Sequence, residues 1–358
     1  MAGPSKKRKR NSYANGSNSN GDRRHALTDN DRTHGPGSVY ASIPPSLLSL
    51  ALTTSHSLPP ALQKYWWKRH TLFSLFSSGI LLDEQSWYSV TPEPIAHRIA
   101  TRCSSTTALD AFCGAGGNAI QLALTCERVV AIDIDENKIR LARHNAQIYG
   151  VQDRITFCHG DYIDFVHDVQ EWRRRKDRRN DGDSGGQGQD RGEEDEQSQR
   201  PSKWNDAEKL DIDVVFLSPP WGGVGYLEPA SMANTPTTSP SKPTATVASP
   251  SPPPPPSTQS AYTDIYPLSL LQPLPGKQLF DLTSTITGDI AFYLPRNSDL
   301  DEIANLVPPS AEGEGEGENG VKIKVEEQYL GPKLSAITCY FGRLASDWDD
   351  ETDTWRTT

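Results

Sequence analysis

The chain contains few cysteines, and none of them lies in a pattern that binds metal. The five cysteines are odd in number, are scattered along 358 residues and form no CxxC pair: Cys103, Cys113, Cys126, Cys158 and Cys339. Zinc sites and disulfide frameworks need closely or regularly spaced cysteines, so neither is expected. Unpaired cysteines fit a reducing compartment. The sequence therefore predicts a protein without a metal ion.

Apolar residues are also scarce. They make up 35% of the chain, which is less than usual for a compact domain, so part of the chain is expected not to pack. No apolar run approaches the ~18 residues that a membrane-spanning helix needs. The N-terminus lacks an apolar stretch of the signal-peptide type. We therefore expect no membrane association.

Positive charge is in deficit, and the formal net charge is −10. A protein coated in positive potential is thereby excluded, and any contact with nucleic acid must use a local pocket or a tail. One basic run, Lys6-Lys7-Arg8-Lys9-Arg10, lies near the N-terminus. Such a run is typical of a nuclear import signal or of an arm that contacts RNA. We expect a nuclear, and more narrowly a nucleolar, protein.

Three segments have the polar composition of disordered chain, and a short tail follows the main domain. They comprise a basic and polar tail, two insertions and a short C-terminal tail: 1–60, 170–209, 229–260 and 346–358. Of the insertions, 170–209 has the composition of an extended surface loop. The remaining chain divides into a small helical extension at 61–105, expected to close the active site, and a main domain at 106–345.

Short apolar runs alternate with helical stretches across the main domain. Five runs are predicted to be strands: 108–112, 128–132, 155–157, 213–217 and 289–294. Helices are expected at 118–124 and 136–149, and a closing hairpin from 321–325 and 336–341. This alternation predicts an α/β fold with a mostly parallel, doubly wound sheet and a C-terminal antiparallel hairpin. Ligands of such sheets bind at the carboxyl ends of the strands.

A glycine-rich turn follows the first predicted strand, in the sequence Asp110-Ala-Phe-Cys-Gly114-Ala-Gly116-Gly117. Glycines between a strand and a helix let the backbone approach a ligand closely. The turn lacks the GxGxxG motif of dinucleotide enzymes, and the chain lacks the GxxxxGK[ST] loop that holds nucleoside triphosphates. The turn therefore predicts a cofactor of another kind.

Three aspartates are expected at the ends of three successive strands. Asp110 could accept hydrogen bonds from an ammonium group, Asp133 from ribose hydroxyls and Asp161 from an adenine amino group. Each alone could be a helix cap or a turn residue. Together with the glycine turn they match a class I S-adenosyl-L-methionine-dependent methyltransferase better than an NAD enzyme. The predicted cofactor is therefore S-adenosyl-L-methionine.

The fourth predicted strand ends in a second turn, Ser218-Pro219-Pro220-Trp221. The Ser218 hydroxyl and the Pro219 carbonyl could hold the two N–H bonds of an exocyclic amine. Prolines stiffen the turn before reaction, and Trp221 offers a face to a base. We therefore predict that Ser218, Pro219 and Trp221 are catalytic. The turn does not choose among adenine N6, cytosine N4, guanine N2 and a glutamine amide.

The wider pattern resembles the trimethylguanosine synthase family over about residues 61–345, apart from the insertions. Besides the two turns, the matching motifs are four: Lys64-Tyr65-Trp66, Ser89-Val90-Thr91-Pro92-Glu93, Ala131-Ile132-Asp133-Ile134-Asp135 and Leu294-Pro295-Arg296-Asn297. The family converts the 7-methylguanosine cap of small nuclear and nucleolar RNAs to 2,2,7-trimethylguanosine. The resemblance implies this activity here, with capped RNA as substrate and snRNP or snoRNP core proteins as partners.

The resemblance also implies roles for individual residues. Trp221 would stack on the cationic 7-methylguanine. The RNA would also be held by Lys64, Tyr226, Arg296 and Lys333. Besides the three aspartates, the cofactor contacts would be Phe73, Thr91, Phe112, Gly114, Gly116 and Ser218. One position departs from the family pattern: Ser335 stands where the family has a lysine, so one phosphate contact is expected to be missing or to be supplied by Lys333.

Two alternatives remain open. One is a methyltransferase that modifies guanine N2 or adenine N6 of ribosomal RNA. The other is a cap-binding assembly factor without activity, against which the intact glycine turn and the intact Ser218-Pro219-Pro220-Trp221 turn both argue.

Overall fold

The computed structural model describes residues 38–181, 202–222, 265–307, 323–349, 351–352 and 354–355. Its centre is a seven-stranded sheet in the order β3-β2-β1-β4-β5-β7-β6. The strands are β1 Thr107–Asp110, β2 Arg128–Asp133, β3 Ile155–His159, β4 Val214–Leu217, β5 Ile290–Pro295, β6 Lys324–Leu330 and β7 Lys333–Tyr340. A separate pair comprises β8 Trp348–Asp349 and β9 Thr354–Trp355.

The first five strands are parallel, and β7 is antiparallel to both β5 and β6. Parallel strands run in one direction, so the carboxyl ends of β1 to β5 share one edge of the sheet. The predicted mostly parallel α/β sheet with a C-terminal antiparallel hairpin is confirmed. The hairpin is longer than the sequence indicated.

Helices cover both faces of the sheet. The described helices are α1 Pro45–Leu48, α2 Gln63–Trp66, α3 Arg69–Leu72, α4 Glu84–Ser89, α5 Glu93–Arg102, α6 Gly117–Thr125, α7 Glu136–Ile148, α8 Tyr162–Asp181, α9 Gly276–Ser284, α10 Leu300–Ala304 and α11 Arg343–Ser346. The N-terminal segment, α5, α6 and α7 pack on one face, and α8 and α9 on the other. Every residue of β1, β4 and β5 is buried, as expected for strands covered on both faces. In the described part of the chain, no helix is long and apolar enough to cross a membrane.

The N-terminal extension contains an aromatic cluster. The rings of Trp66, Phe76 and Trp87 lie within 5.8 Å of one another, centroid to centroid. The backbone before this cluster is also ordered, because the Trp87 indole donates to the Leu52 carbonyl at 3.1 Å. Ile43 and Leu58 are buried. The prediction of disorder up to residue 60 is therefore wrong for residues 38–60, where isolated apolar side chains without periodicity pack against other elements.

The insertion at 170–209 is also more ordered than its composition suggested. Helix α8 continues to Asp181, and the chain folds back onto it at residues 202–209. Trp204 is only 1% exposed, contacts the Phe165 ring edge-on at 5.2 Å and donates its indole N–H to Asp168 at 2.6 Å. The expected extended loop is therefore wrong at both ends of the segment, because exposed charges suit the solvent face of a helix. The insertion at 229–260 lies outside the described residues.

The predicted C-terminal tail also begins in the core. Trp348 is buried, and the Arg102 guanidinium lies 5.4 Å from its ring and 4.1 Å from that of Tyr340. The expectation of a tail beginning at residue 346 is wrong for this part of 346–358, because the indole packs against a cation held within the fold.

Replacing Trp204 by alanine tests the correction at 202–209. The substitution Trp204→Ala removes a large buried ring and one hydrogen bond, and we expect it to lower the free energy of unfolding by about 3–5 kcal/mol. Chemical denaturation measures this loss. The matched control is Trp67→Ala, since Trp67 is 66% exposed and its loss should cost less than about 0.5 kcal/mol. Equal stability of the two variants would contradict the packing of this segment.

Candidate active site

The loop after β1 is shaped by two glycines with left-handed backbone. At Gly116, φ is +91° and an added Cβ would lie 3.1 Å from the Ala142 side chain on α7, so only glycine lets the helix approach. At Gly114, φ is +53° and an added Cβ would have no neighbour within 4 Å. Gly116 therefore serves packing, whereas Gly114 faces open space that a ligand could fill.

Asp133 holds this loop against the end of β2. One carboxylate oxygen accepts the Gly114 N–H at 2.8 Å, and the other accepts the Asp135 N–H at 2.9 Å. Burial raises the pKa of Asp133, and these two backbone donors oppose the rise. Since a carboxylate oxygen can accept two hydrogen bonds, each still has capacity for a ligand hydroxyl.

Asp110 lies fully buried at the end of β1 without a partner that neutralises it. Neither carboxylate oxygen receives a hydrogen bond of standard geometry, although the N–H groups of Phe112 and Ala119 lie near enough to lower its pKa. Burial outweighs them and raises the pKa of Asp110 to about 7. A carboxylate that is fully buried without a hydrogen-bond partner favours binding of a cationic donor. The residues therefore fit a cofactor that carries an ammonium group and adjacent hydroxyls.

The N-terminal extension lies directly on the start of α6. The Thr91 hydroxyl accepts a hydrogen bond from the Asn118 side chain at 3.0 Å. The Phe73 ring lies beside Gly117, where an added Cβ would be 3.7 Å from it and 2.7 Å from Val90. Phe73 and Thr91 thus lie beside the start of α6, next to the glycine loop. Their contact with a cofactor stays a prediction.

Glu93 is a residue whose role the sequence did not reveal. Its carboxylate accepts the Ser74 N–H at 2.6 Å, the Ser74 hydroxyl at 2.7 Å and the Tyr149 hydroxyl at 2.5 Å. Burial, and then the bond to Glu93, raise the pKa of Tyr149 to about 12. These bonds fasten the segment around Phe73 to α7. Partners 19 and 56 residues away leave no local signal in the sequence.

Two predicted cofactor residues follow the first and third strands. The Phe112 ring packs edge-on against Tyr162 at 5.6 Å, which places it at the start of α8. Asp161 accepts the Ile163 N–H at 2.8 Å, the bond that a helix-capping residue makes. The structure thus gives Asp161 a capping role, and its contact with an adenine stays a prediction.

The second turn joins the glycine loop at the carboxyl edge of the sheet. The Ser218 hydroxyl donates to the Phe112 carbonyl across 3.5 Å, so the ends of β1 and β4 meet. Pro219 is buried, and the Trp221 ring lies 5.2 Å from the Tyr293 ring on β5 with 36° between the planes. The serine and tryptophan that the sequence singled out therefore lie between the cofactor loop and β5.

The predicted RNA-binding residues lie in two regions. Arg296 follows β5, and the pairing of Pro295 with Ala336 brings Ser335 and Lys333 to the same end of the sheet. A cavity of about 430 Å³ opens there, lined by Ile265, Arg296, Asn297, Ser298, Asp299, Leu300, Asp301 and Leu334. Lys64 is exposed on α2, with its ammonium 5.1 Å from the Tyr65 ring centroid. Tyr226 lies outside the described residues.

The comparison with protein families decides what this site does. The family described as RNA cap guanine-N2 methyltransferase matches residues 105–235 and 247–344, more than half of the chain. The chain belongs to this family. The protein is therefore an enzyme that methylates N2 of guanine at an RNA cap. Within the described residues, no group of three or more His, Cys, Asp and Glu side chains could hold a metal ion.

Named relatives agree with this assignment. The chain is 34% identical to a trimethylguanosine synthase of Schizosaccharomyces pombe over 252 residues, which cover 69% of this chain and 76% of the relative. It is 28% identical to a trimethylguanosine synthase of Saccharomyces cerevisiae over 248 residues, 67% of this chain and 56% of that protein. Among solved structures, a putative methyltransferase of Porphyromonas gingivalis W83 matches with a TM-score of 0.45 and 10% identity, covering 85% of this chain and 55% of that one.

The pH dependence of stability tests the state of Asp110. In the unfolded chain an aspartate titrates near pH 3.9, whereas the native pKa is about 7. Between these values the native state holds the proton more firmly, so stability falls as pH rises, by up to about 1.4 kcal/mol per pKa unit. We expect Asp110→Asn to remove this loss and to be more stable than the wild type at about pH 8.

Denaturation curves of the cofactor-free protein between about pH 4 and pH 8 measure this effect. Asp211→Asn is the control, because Asp211 is exposed and should leave the pH dependence unchanged. If the Asp110→Asn curve ran parallel to that of the wild type, Asp110 would not be a destabilised buried carboxylate.

Proposed function

We propose that this enzyme uses S-adenosyl-L-methionine to convert the 7-methylguanosine cap of small nuclear and nucleolar RNAs to 2,2,7-trimethylguanosine. The observation that carries the proposal is the bond between Ser218 and the Phe112 carbonyl, which joins the amine-binding turn to the loop beside Asp110. The named relatives support the choice of product. The basic run at residues 6–10 supports action in the nucleus, and a nucleolar site is part of the same proposal.

Each end of the cofactor has a matching group in the site. Asp110 would accept the ammonium group of the methionine part, which resolves its uncompensated burial. Asp133 would accept the ribose hydroxyls, Asp161 would reach the adenine, and Gly114 leaves the space between them. S-adenosyl-L-methionine supplies a methyl group on a positively charged sulfur, so it is already activated for transfer. Phe73 and Thr91, fastened by Glu93, would exclude water from this side.

The acceptor is a poor nucleophile, because the lone pair of guanine N2 is delocalised into the ring. The site must therefore hold the amine in position. Since the Ser218 hydroxyl donates a hydrogen bond to the Phe112 carbonyl, its oxygen can accept one N–H of the amine. The Pro219 carbonyl accepts the other. The methyl group would leave its sulfur as it bonds to N2, and N2 would then release a proton to water, so no strong base is needed.

Selection of the cap follows from the charge of the base. A guanine methylated at N7 is a cation, and its stacking on Trp221 gains a cation–π contribution of about 0.5–2 kcal/mol over neutral guanine. Tyr293 backs the Trp221 ring at 5.2 Å and limits its orientation. Arg296, Lys333 and Lys64, with Tyr226, would bind the cap phosphates in a chain whose net charge is −10. Because Ser335 cannot supply a cation, Lys333 carries that end of the site.

Replacing Trp221 tests the stacking on a cationic base. For the wild type, we expect kcat/KM for transfer to a 7-methylguanosine cap to exceed that for an unmethylated cap by about tenfold or more. Trp221→Ala should lower kcat/KM for the 7-methylguanosine cap about tenfold and reduce the preference for that cap over the unmethylated one. Trp221→Phe, which keeps an aromatic face, should lose less. Radiolabel transfer to the two caps measures both. Equal rates of the wild type on both caps would contradict the stacking argument.

Ser218→Ala tests the positioning of the amine. Because the hydroxyl holds the amine in position for transfer, its removal should lower kcat about 100-fold. The affinity for the cofactor should change less than about threefold. Single-turnover kinetics and cofactor titration separate the two effects. Ser284→Ala is a control, since Ser284 is exposed at the end of α9, away from this turn. A variant with unchanged kcat would exclude Ser218 from catalysis.

A further inference from the structure

The last two turns of α8 carry the densest positive charge among the described residues. Between positions 173 and 179 six of seven residues are cations: Arg173, Arg174, Arg175, Lys176, Arg178 and Arg179. The helix begins at the cofactor edge of the sheet, and at about 1.5 Å per residue Arg174 lies about 20 Å along it from Asp161. This part of the helix falls within the insertion at 170–209.

Among the described residues, only one of these cations contacts the rest of the domain beyond α8. Arg173 donates to the Thr285 and Ile286 carbonyls, both at 3.0 Å. These residues follow α9 and precede β5, so the basic end of α8 lies at the edge of the sheet opposite the active site. Arg174, Arg175, Arg178 and Arg179 are exposed. We call these four residues the α8 basic face.

The α8 basic face is poorly neutralised by the described parts of the protein. Arg175 pairs with Glu171 at 2.6 Å within the helix. Arg174 donates to the Gln170 carbonyl of its own helix at 3.3 Å and forms no ion pair with a described residue. Cations stabilise the last turn of a helix through its dipole, but that effect fades within one turn and does not account for Arg174 and Arg175. The charge therefore suits an external polyanion.

We propose that the α8 basic face binds the phosphate backbone of the substrate RNA beyond the cap. The proposal rests on the proposed function, because it takes capped RNA as the polyanion. In a chain with a net charge of −10, a group of exposed and only partly neutralised arginines gives a local attraction for a polyanion. Phosphate contacts do not read sequence, so they would favour long capped RNAs over short ones.

A competing occupant lies in the same chain. The acidic run Glu193-Glu194-Asp195-Glu196 follows Arg179 by 14 residues. If this run covered the α8 basic face, RNA would have to displace it. The experiment must therefore distinguish RNA from the acidic run.

The test measures kcat/KM on a 7-methylguanosine-capped dinucleotide and on capped RNAs of about 5, 10 and 20 nucleotides. We expect the wild type to favour the longest RNA about tenfold over the dinucleotide. Arg174→Gln/Arg178→Gln should lose that advantage and keep the dinucleotide rate. Arg174→Lys/Arg178→Lys should retain most of it. The matched control is Arg98→Gln/Arg140→Gln, which removes two charges from α5 and α7 on the other face of the sheet.

Salt dependence gives a second readout. Each single-strand phosphate contact adds about 0.7 to the slope of log affinity against log salt, so losing two should lower the slope by about 1.4 for long RNA only. The inference is overturned if the glutamine variant equals the wild type on long RNA. It is also overturned if the length preference appears only after Glu193, Glu194, Asp195 and Glu196 are changed to glutamine. Failure of the wild type to methylate the capped dinucleotide would instead contradict the proposed function.

Discussion

The covering of the parallel sheet on both faces is the constraint on which the rest of the structure depends. Because β1, β4 and β5 are wholly buried, polar groups that act on a ligand are confined to the strand ends. The ends of β1 and β2 hold Asp110 and Asp133, and the end of β4 holds Ser218. Covered faces and a shared direction thus bring residues more than a hundred positions apart to one edge.

The same burial leaves a carboxylate without a neutralising protein partner beside the glycine loop. Asp110 is enclosed without a neutralising partner, and burial raises its pKa to about 7. Such a carboxylate lowers the stability of the ligand-free protein. It also favours binding of a cationic group, so stability is lost and affinity for a cationic ligand is gained at this position. The N-terminal extension adds to this arrangement, since Glu93 and Tyr149 hold the Phe73 segment against the glycine loop.

The distribution of charged residues determines where the protein can bind RNA. With a net charge of −10, the protein cannot attract RNA over its whole surface. Two groups of described cations are placed where RNA could reach them, Arg296 with Lys333 and the α8 basic face. If both groups bind RNA, they would act on different lengths of one substrate, the first on the cap phosphates and the second on the chain beyond.

The sequence by itself determined the seven strands of the main sheet, the helices α6 and α7, the two turns at the strand ends and the family. These features depend on neighbouring residues, whose periodicity and turn chemistry are local. Tertiary structure decided the order of residues 38–60 and 202–209 and the role of Glu93. It also decided the uncompensated state of Asp110, which depends on what encloses it. Composition marked the segment around Trp204 as polar chain, yet a single indole packed against Phe165 is enough to fix it. Packing between distant residues has no local pattern, so only the assembled fold reveals it.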